Sequence, residues 1–264
     1  MKSHRSTRFK GGNEKKGRFA IVTFACLVEI HLPVLDVAIS AEWYQKYFGM
    51  KVIHQEEQKV KLAMQEGTLL SLEQAMELNH YVECPFNVNV YEAVEVYERL
   101  KRGGVKIYEE PGPFHHMTCF KVADPNGYPI GVVSWREEGY ENIPIIRLGG
   151  AFLPVSSLGK ALDWYERCLG ITRRYEFTIR VPGYAEAFQA ATLGNINLTL
   201  VEIPSAVSLQ GRPFSIGTTN PKGQYKQLRA KGVMVSSYED CGGKSSFQFL
   251  DPDEHEIGVV GILQ

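Results

Sequence analysis

The sequence predicts an α+β protein built as two tandem domains, and three observations carry that expectation. The first is an internal repeat. Leu32-Pro33-Val34 recurs as Leu153-Pro154-Val155, Trp43-Tyr44 as Trp164-Tyr165 and Gly49 as Gly170, all at an offset of 121 residues. Pro85-Phe86 returns as Pro213-Phe214, Asp124-Pro125 as Asp251-Pro252 and Gly131-Val132-Val133 as Gly258-Val259-Val260, with the offset never above 128. Tyr97, Leu100, Gly104 and Val105 likewise return as Tyr225, Leu228, Gly232 and Val233. The second observation is that each copy reads strand, helix, strands, and then the same again. The third is bulk: 264 residues suffice for two ordinary domains, and 44% hydrophobic with 22% charged residues suits a chain that buries a core.

In the first copy Leu27–Val34 is rich in aliphatic residues and ends near a proline, as a strand does. Asp36–Phe48 places Val37, Trp43, Tyr44 and Tyr47 at helical spacing, and Gly49 stands ready to cap the C-terminus. Lys51–Gln55, Lys59–Gln65 and Thr68–Glu73 read as short strands, with Glu66-Gly67 as a turn. Phe86–Val90 is the next strand, Glu92–Arg102 a helix facing inward with Val96, Tyr97 and Leu100, and Gly103-Gly104 its end. Val105–Glu109, Met117–Val122 and Ile130–Trp135 follow as strands, the last two joined by the turn Asp124-Pro125-Asn126-Gly127. The second copy gives helices at Leu158–Cys168 and Gln224–Lys231. Its strands include Gly150–Val155, Ala185–Ala191, Asn195–Glu202, Phe214–Thr218, Ser245–Leu250 and Glu256–Ile262. Helices on one side of a sheet leave its other face open. Trp43 and Trp164 are expected in the core.

The expected organisation is a basic leader over 1–20, a first domain over 21–137, a polar linker over 138–142 and a second domain over 143–264. The leader's cations resemble the start of a secretory signal, but no small-residue cleavage site follows the apolar run Phe19–Val28. A net charge of −1 points away from nucleic acid, and no apolar run reaches the roughly 18 residues a membrane helix needs. Five scattered cysteines without a Cys-x-x-Cys pair fit reduced thiols in a cytoplasmic protein.

The Leu-Pro-Val strand followed by Asp36, Ser40, Trp43-Tyr44 and Gly49 resembles the glyoxalase/bleomycin-resistance/extradiol-dioxygenase (vicinal oxygen chelate) superfamily. So do Tyr97-Glu98-Arg99-Leu100 through Gly104-Val105, and Asp124-Pro125-Asn126-Gly127 leading into a last strand. The resemblance covers nearly all of 26–262 and implies tandem glyoxalase-like domains, each a pair of βαβββ units in a curled, cup-shaped mixed sheet with helices outside. It also implies where metal-dependent relatives hold a divalent ion. Counting from the motifs, those positions are Glu29, Ser71, Pro85 and Gly131 in one copy, and Gly150, Thr199, Pro213 and Gly258 in the other. Glycine and proline offer no side-chain donor, and Ser or Thr hydroxyls are poor primary ligands, so no metal or other cofactor is expected.

Strand alternation selects the other residues expected to face the cups. Glu29 and His31 share a face and are the candidate acid–base pair; Asn87, Asn89, Cys119 and Lys121 are the candidate ligand contacts in the same first cup. The second cup should show Asn197 and Gln248 and be the more neutral of the two. Ion pairing of Glu29 and His31, with each other or with Lys121, stands ahead of catalysis. His115-His116 resembles a clamp, but neighbours in a strand point to opposite faces. Two functional readings stay open: a metal-free module that binds or sequesters a small molecule, and a lyase, isomerase or dioxygenase type of enzyme working through Glu29 and His31. In a thinner variant of the enzyme, a relocated metal is held by Glu29, His31 and His115. The expected partner is a small molecule, with neither nucleic acid nor membrane, and a tandem chain can serve as a self-sufficient monomer or form a homodimer.

Overall fold

A computed structural model describes residues 24–65, 67–78, 84–136, 145–180, 185–194, 196–203, 209, 211–242 and 244–263. The expected leader and linker, and Glu66 of the expected turn, lie outside the described residues. The chain runs through four modules of one plan. The first comprises β1 (Phe24–Val34), α1 (Val37–Phe48), β2 (Lys51–Gln55), β3 (Lys59–Ala63) and β4 (Leu69–Gln74). The second comprises β5 (Phe86–Val90), α2 (Ala93–Arg102), β6 (Ile107–Phe114), β7 (Met117–Ala123) and β8 (Pro129–Ser134). The third comprises β9 (Ile145–Val155), α3 (Leu158–Leu169), β10 (Arg173–Arg180), β11 (Ala187–Leu193) and β12 (Leu198–Glu202). The fourth comprises β13 (Phe214–Thr218), α4 (Pro221–Ala230), β14 (Glu239–Cys241), β15 (Lys244–Leu250) and β16 (Glu256–Gly261).

The helices form where the pattern placed them, for legible reasons. In α1 the buried residues Val37, Ala41, Tyr44 and Phe48 lie along one stripe. Asp36 caps the start by accepting the Ile39 N–H at 2.9 Å. Gly49 ends the helix at φ 66°, and Gly170 ends α3 at φ 70°, a left-handed turn that glycine adopts without strain. The helix α4 begins at Pro221, earlier than expected, because Asn220 caps it and proline suits a first turn whose N–H needs no partner. Trp43 and Trp164 are only partly buried against the core, whereas their neighbours Tyr44 and Tyr165 are fully buried. The helix stripe centres on the tyrosine, so each indole sits at its flank.

The strands assemble into two eight-stranded sheets. Sheet I runs β14-β15-β16-β13-β1-β4-β3-β2, and sheet II runs β10-β11-β12-β9-β5-β8-β7-β6. Each sheet therefore takes one module from each copy. Antiparallel seams β1/β13 and β5/β9 join the modules at the middle of the sheets. The two modules of one copy meet instead through their helices and turns. Tyr44 Oη donates to Asp124 Oδ2 at 3.1 Å, and Tyr165 Oη donates to Asp251 Oδ2 at 3.1 Å. Asp124 also accepts the backbone N–H groups of Asn126 and Tyr128, both at 2.8 Å, so the Asp-Pro-Asn-Gly turn and the helix are fixed by one carboxylate. Ile30, Leu32, Val34, Leu153 and Val155 bury towards the helices, leaving the other face of each sheet to polar residues such as His31, Ser71, Asn89 and Thr199.

Candidate functional site

Because the sheets combine copies, the expected first cup is divided. Glu29, His31 and Gln248 stand on sheet I, while Asn87, Asn89, Cys119, Lys121 and Asn197 stand together on sheet II. Four near-identical modules carry no label in their apolar pattern that says which pairs with which, so the sequence could not make this assignment.

On sheet I the acidic and basic groups satisfy one another. Lys61 Nζ lies 2.8 Å from Glu29 Oε1, and the Ser71 hydroxyl donates to the same oxygen. Burial pushes the Glu29 carboxyl up, but Lys61, Ser71 and His31 outweigh it and hold it below the ordinary range. His31 Nδ1 donates to Glu73 Oε1 at 3.1 Å, and its Nε2 sits 3.1 Å from Ser215 Oγ. Lys59 Nζ approaches the same Glu73 oxygen at 2.5 Å. The hydrogen bond from His31, opposed by burial and helped by Lys59, brings the Glu73 carboxyl down to about 2. Glu29 and His31 thus have separate partners, and neither is Lys121, which belongs to the other sheet. A base held ionised by lysine and serine is a weak proton acceptor at neutral pH. Glu29 and His31 share one face of β1, as the acid–base reading requires, and each is held by other neighbours. His115 lies on sheet II, in the β6–β7 turn at φ 52° rather than in a strand. Among the described residues no group of three or more His, Cys, Asp or Glu could hold a metal ion.

Sheet II encloses a cavity of about 500 Å³. Its edge strands β6 and β10 are eight residues each, against five in β2 and three in β14 on sheet I, which gives sheet II the length to wrap. The edge strand β10 approaches β6 and β7 across the mouth: Lys121 Nζ on β7 donates to the Arg180 carbonyl at 3.0 Å, and the Phe114 and Phe177 rings stand 5.1 Å apart. His115 and Tyr175 continue this contact at 6.5 Å. The strand β10 escaped the sequence reading, although Tyr175, Phe177 and Ile179 alternate as a strand facing a pocket would.

The floor is made of amides. Asn87 Oδ1 accepts the Gly150 N–H at 2.5 Å. A Cβ on Gly149 would come within 2.4 Å of the Oδ1 atoms of both Asn87 and Asn89, so the missing side chain there gives the two amides their place. On the module-two side Phe120 and Val122 bury towards the helix, and Cys119 and Lys121 turn to the cavity. Burial, with Glu109 adding to it and Lys121 opposing, raises the Cys119 thiol above its ordinary range, so it stays protonated at neutral pH. On the module-three side Asn197 and Thr199 complete the floor, with Thr192 bonded to Thr199 at 3.0 Å.

The positions implied for a divalent ion regroup by sheet: Pro85, Gly131, Gly150 and Thr199 on sheet II, and Glu29, Ser71, Pro213 and Gly258 on sheet I. The residues present do not fit such an ion. Space reinforces the donor chemistry. A Cβ at Gly131 would lie 3.1 Å from Asn87 Cβ and 3.2 Å from Cys84 Sγ, and one at Gly150 would lie 2.4 Å from the Asn197 carbonyl oxygen. On sheet I a Cβ at Gly258 would lie 2.4 Å from Ser215 Oγ, and Glu29 is already engaged by Lys61. Neighbouring groups have taken the room that ligating side chains would need.

No helix among the described residues is long and apolar enough to cross a membrane. A comparison with curated proteins found no match. Among solved structures, glyoxalase I from Zea mays is similar in fold, with a TM-score of 0.69 at 18% identity over 89% of this chain and 92% of that one. A putative dioxygenase from Bacillus subtilis has a TM-score of 0.70 at 15% identity over 91% and 86%. The family model described as Glyoxalase/Bleomycin resistance protein/Dioxygenase superfamily matches residues 26–132 and 147–259, so both repeats fall within it. The repeat, the paired βαβββ modules and this match give one conclusion: the chain belongs to the Glyoxalase/Bleomycin resistance protein/Dioxygenase superfamily.

Proposed function

We propose that this protein binds or sequesters a small cytoplasmic molecule in the cup of sheet II, without a metal at the superfamily's positions. The observation that carries the reading is the cavity of about 500 Å³, shared between the two copies and floored by Asn87, Asn89, Asn197 and Thr199. That size suits a metabolite or drug-sized ligand. Binding rather than turnover is supported by the state of the lining groups. Glu109, the carboxylate of the lining, lies 3.7 Å from Lys121 Nζ, and Cys119 is a half-buried thiol rather than a thiolate. Sheet I, with its acids and bases paired internally, serves as the scaffold that completes each copy.

A thermal melt of the full chain against a panel of metabolites and antibiotics tests this. A ligand present at 100 times its Kd stabilises by about 2.7 kcal/mol, so a true ligand raises the melting temperature in proportion to the logarithm of its concentration. Asn89→Trp, which fills the floor, should remove the shift while leaving the unliganded protein folded. A panel without any shift, or a shift insensitive to Asn89→Trp, overturns the reading. Elemental analysis of protein purified without chelator supplies the second arm. Stoichiometric metal would overturn the metal-free part, and Gly131→His is expected to lower stability without taking up Zn²⁺.

A further inference from the structure

Asn89 is 7% exposed and lines the sheet II cavity, yet among the described residues its carboxamide has no hydrogen-bond partner. Its neighbour Asn87 differs, because Asn87 Oδ1 accepts the Gly150 N–H. A buried amide without partners is costly, so one left open on a cavity floor points to a ligand that completes it. Folding does not call for an amide at this place. The β1/β13 seam repeats the register of β5/β9, with Cys26 opposite Gly217 where Arg147 is opposite Asn89. In sheet I the position of Asn89 is therefore Gly217, and Val28 closes over it: a Cβ on Gly217 would lie 2.9 Å from Val28 Cγ2. In sheet II the pair is exchanged. Gly149 stands where the repeat places Val28, and the amide takes the room, with Asn89 Oδ1 2.4 Å from where a Gly149 Cβ would lie. The charges of the lining are answered or peripheral. Lys121 is held by the Arg180 carbonyl at 3.0 Å and stands 3.7 Å from Glu109, Arg147 is engaged as well, and Arg174 and Arg180 are exposed on the edge strand β10. Both walls around the amides are apolar, with Phe152, Phe177 and Ile179 from the third module and Met117 and Val133 from the second.

We infer that the ligand of this cup is an uncharged planar lactam: an aromatic ring system whose adjacent N–H and C=O pair with Asn89 while its faces lie between the apolar walls. The inference rests on the binding role proposed above and adds the ligand's chemical class. A carboxamide both donates and accepts, and a cyclic amide presents the complementary pair on one edge, so two hydrogen bonds satisfy Asn89 at once. Asparagine reads the edge of a flat base in the same bidentate way. A ligand with acceptors only would leave Asn89 Oδ1 unpaired, and a hydrocarbon would leave the whole amide so. A carboxylate would shed its hydration onto a floor of amides and hydroxyls, which is a poor exchange for a full charge.

The test uses three probes of similar shape on the full chain: 2-quinolinone, its lactone isostere coumarin, and 2-naphthoate as the anion. Isothermal titration should find one 2-quinolinone per chain, bound about tenfold or more tighter than coumarin, because a site built to bond an N–H rejects the analogue lacking it. The anion 2-naphthoate should bind more weakly than 2-quinolinone. Asn89→Leu, close to asparagine in shape but without the amide, should weaken 2-quinolinone about tenfold and change coumarin by less than about twofold. Should that variant fail to fold, the preference of the unaltered chain for 2-quinolinone over coumarin still decides. Phe177→Ala should weaken both neutral probes. If both bind equally and both respond to Phe177→Ala, the cup binds and the lactam inference fails. If neither responds to Phe177→Ala, the cup itself fails as the site, and the binding role proposed above fails with it. Tighter binding of 2-naphthoate than of 2-quinolinone, or no saturable binding of 2-quinolinone, also overturns the inference.

Discussion

At the level of single residues, the side chains that look most chemical in the sequence are the ones the fold neutralises. Glu29 and His31 are two residues apart on one strand, a spacing that suggests an acid–base pair, yet each is claimed by a different neighbour: Lys61 and Ser71 for one, Glu73 and Ser215 for the other. The network has a pH signature. Glu73 titrates at about 2 in the folded chain against 4.5 as its ordinary value, so its ionised form is the one that folding favours. The stability it contributes is therefore complete above pH 4.5 and is lost as pH falls towards 2. Glu73→Gln should flatten the acid limb of a stability-versus-pH curve in that window. With 41% of the side chain exposed, solvent screening limits the effect to about 1 kcal/mol or less. Urea midpoints across pH 2–5 check it, and an unchanged acid limb would refute the assigned network. Residues that line the cavity are less conspicuous: two asparagines on β5 become a floor only because Gly149 lacks a side chain.

At the level of elements, the recurring device is the tyrosine–aspartate bond between a helix and the turn before the last strand of the neighbouring module. Burial raises the Asp124 carboxyl, opposed by the N–H groups of Tyr128 and Asn126 and by Tyr44, so the bond joins two groups that have both left water. Tyr44→Phe should cost about 2 kcal/mol, in the range for a hydrogen bond to a charged group. Tyr165→Phe should cost a similar amount at Asp251, and the double variant should be nearly additive because the pairs lie in different copies. Denaturant unfolding of the two single variants and the double variant measures this. A loss below about 0.5 kcal/mol in both would show that packing alone joins the modules. The edge strands show another elemental rule, since the eight residues of β6 and β10 bring the rims of sheet II together, whereas β2 and β14 of sheet I have five and three residues.

For the whole molecule, the four modules form a closed circuit: sheet seams join the first to the fourth and the second to the third, and helix–turn contacts join the first to the second and the third to the fourth. Neither sequence copy holds a complete sheet. Residues 21–137 expressed alone would present β1 and β5 as open inner edges, where unpaired backbone groups seek another strand. This fragment is expected to dimerise, rebuilding both seams between two chains, or to aggregate. Light scattering after size exclusion checks this, and a stable monomer with native strand content would contradict the seam's importance. Co-expressed halves should reassemble and regain binding at the sheet II cup.

The amino-acid pattern by itself determined the duplication, the four helices and the glycines that end the first two, most strand positions and the poverty of metal donors, because each depends on local periodicity or on residue chemistry alone. Strand β10, which carries Tyr175, Phe177 and Ile179, was legible in that alternation but was not read from it. Tertiary structure decided which module pairs with which, and with it that Asn87, Asn89, Cys119, Lys121 and Asn197 share a cavity from which Glu29, His31 and Gln248 are excluded. The physical reason is that an exposed strand edge offers the same backbone donors and acceptors whatever its sequence. Among modules so alike, partner choice emerges only from side-chain packing across the completed sheets and helices.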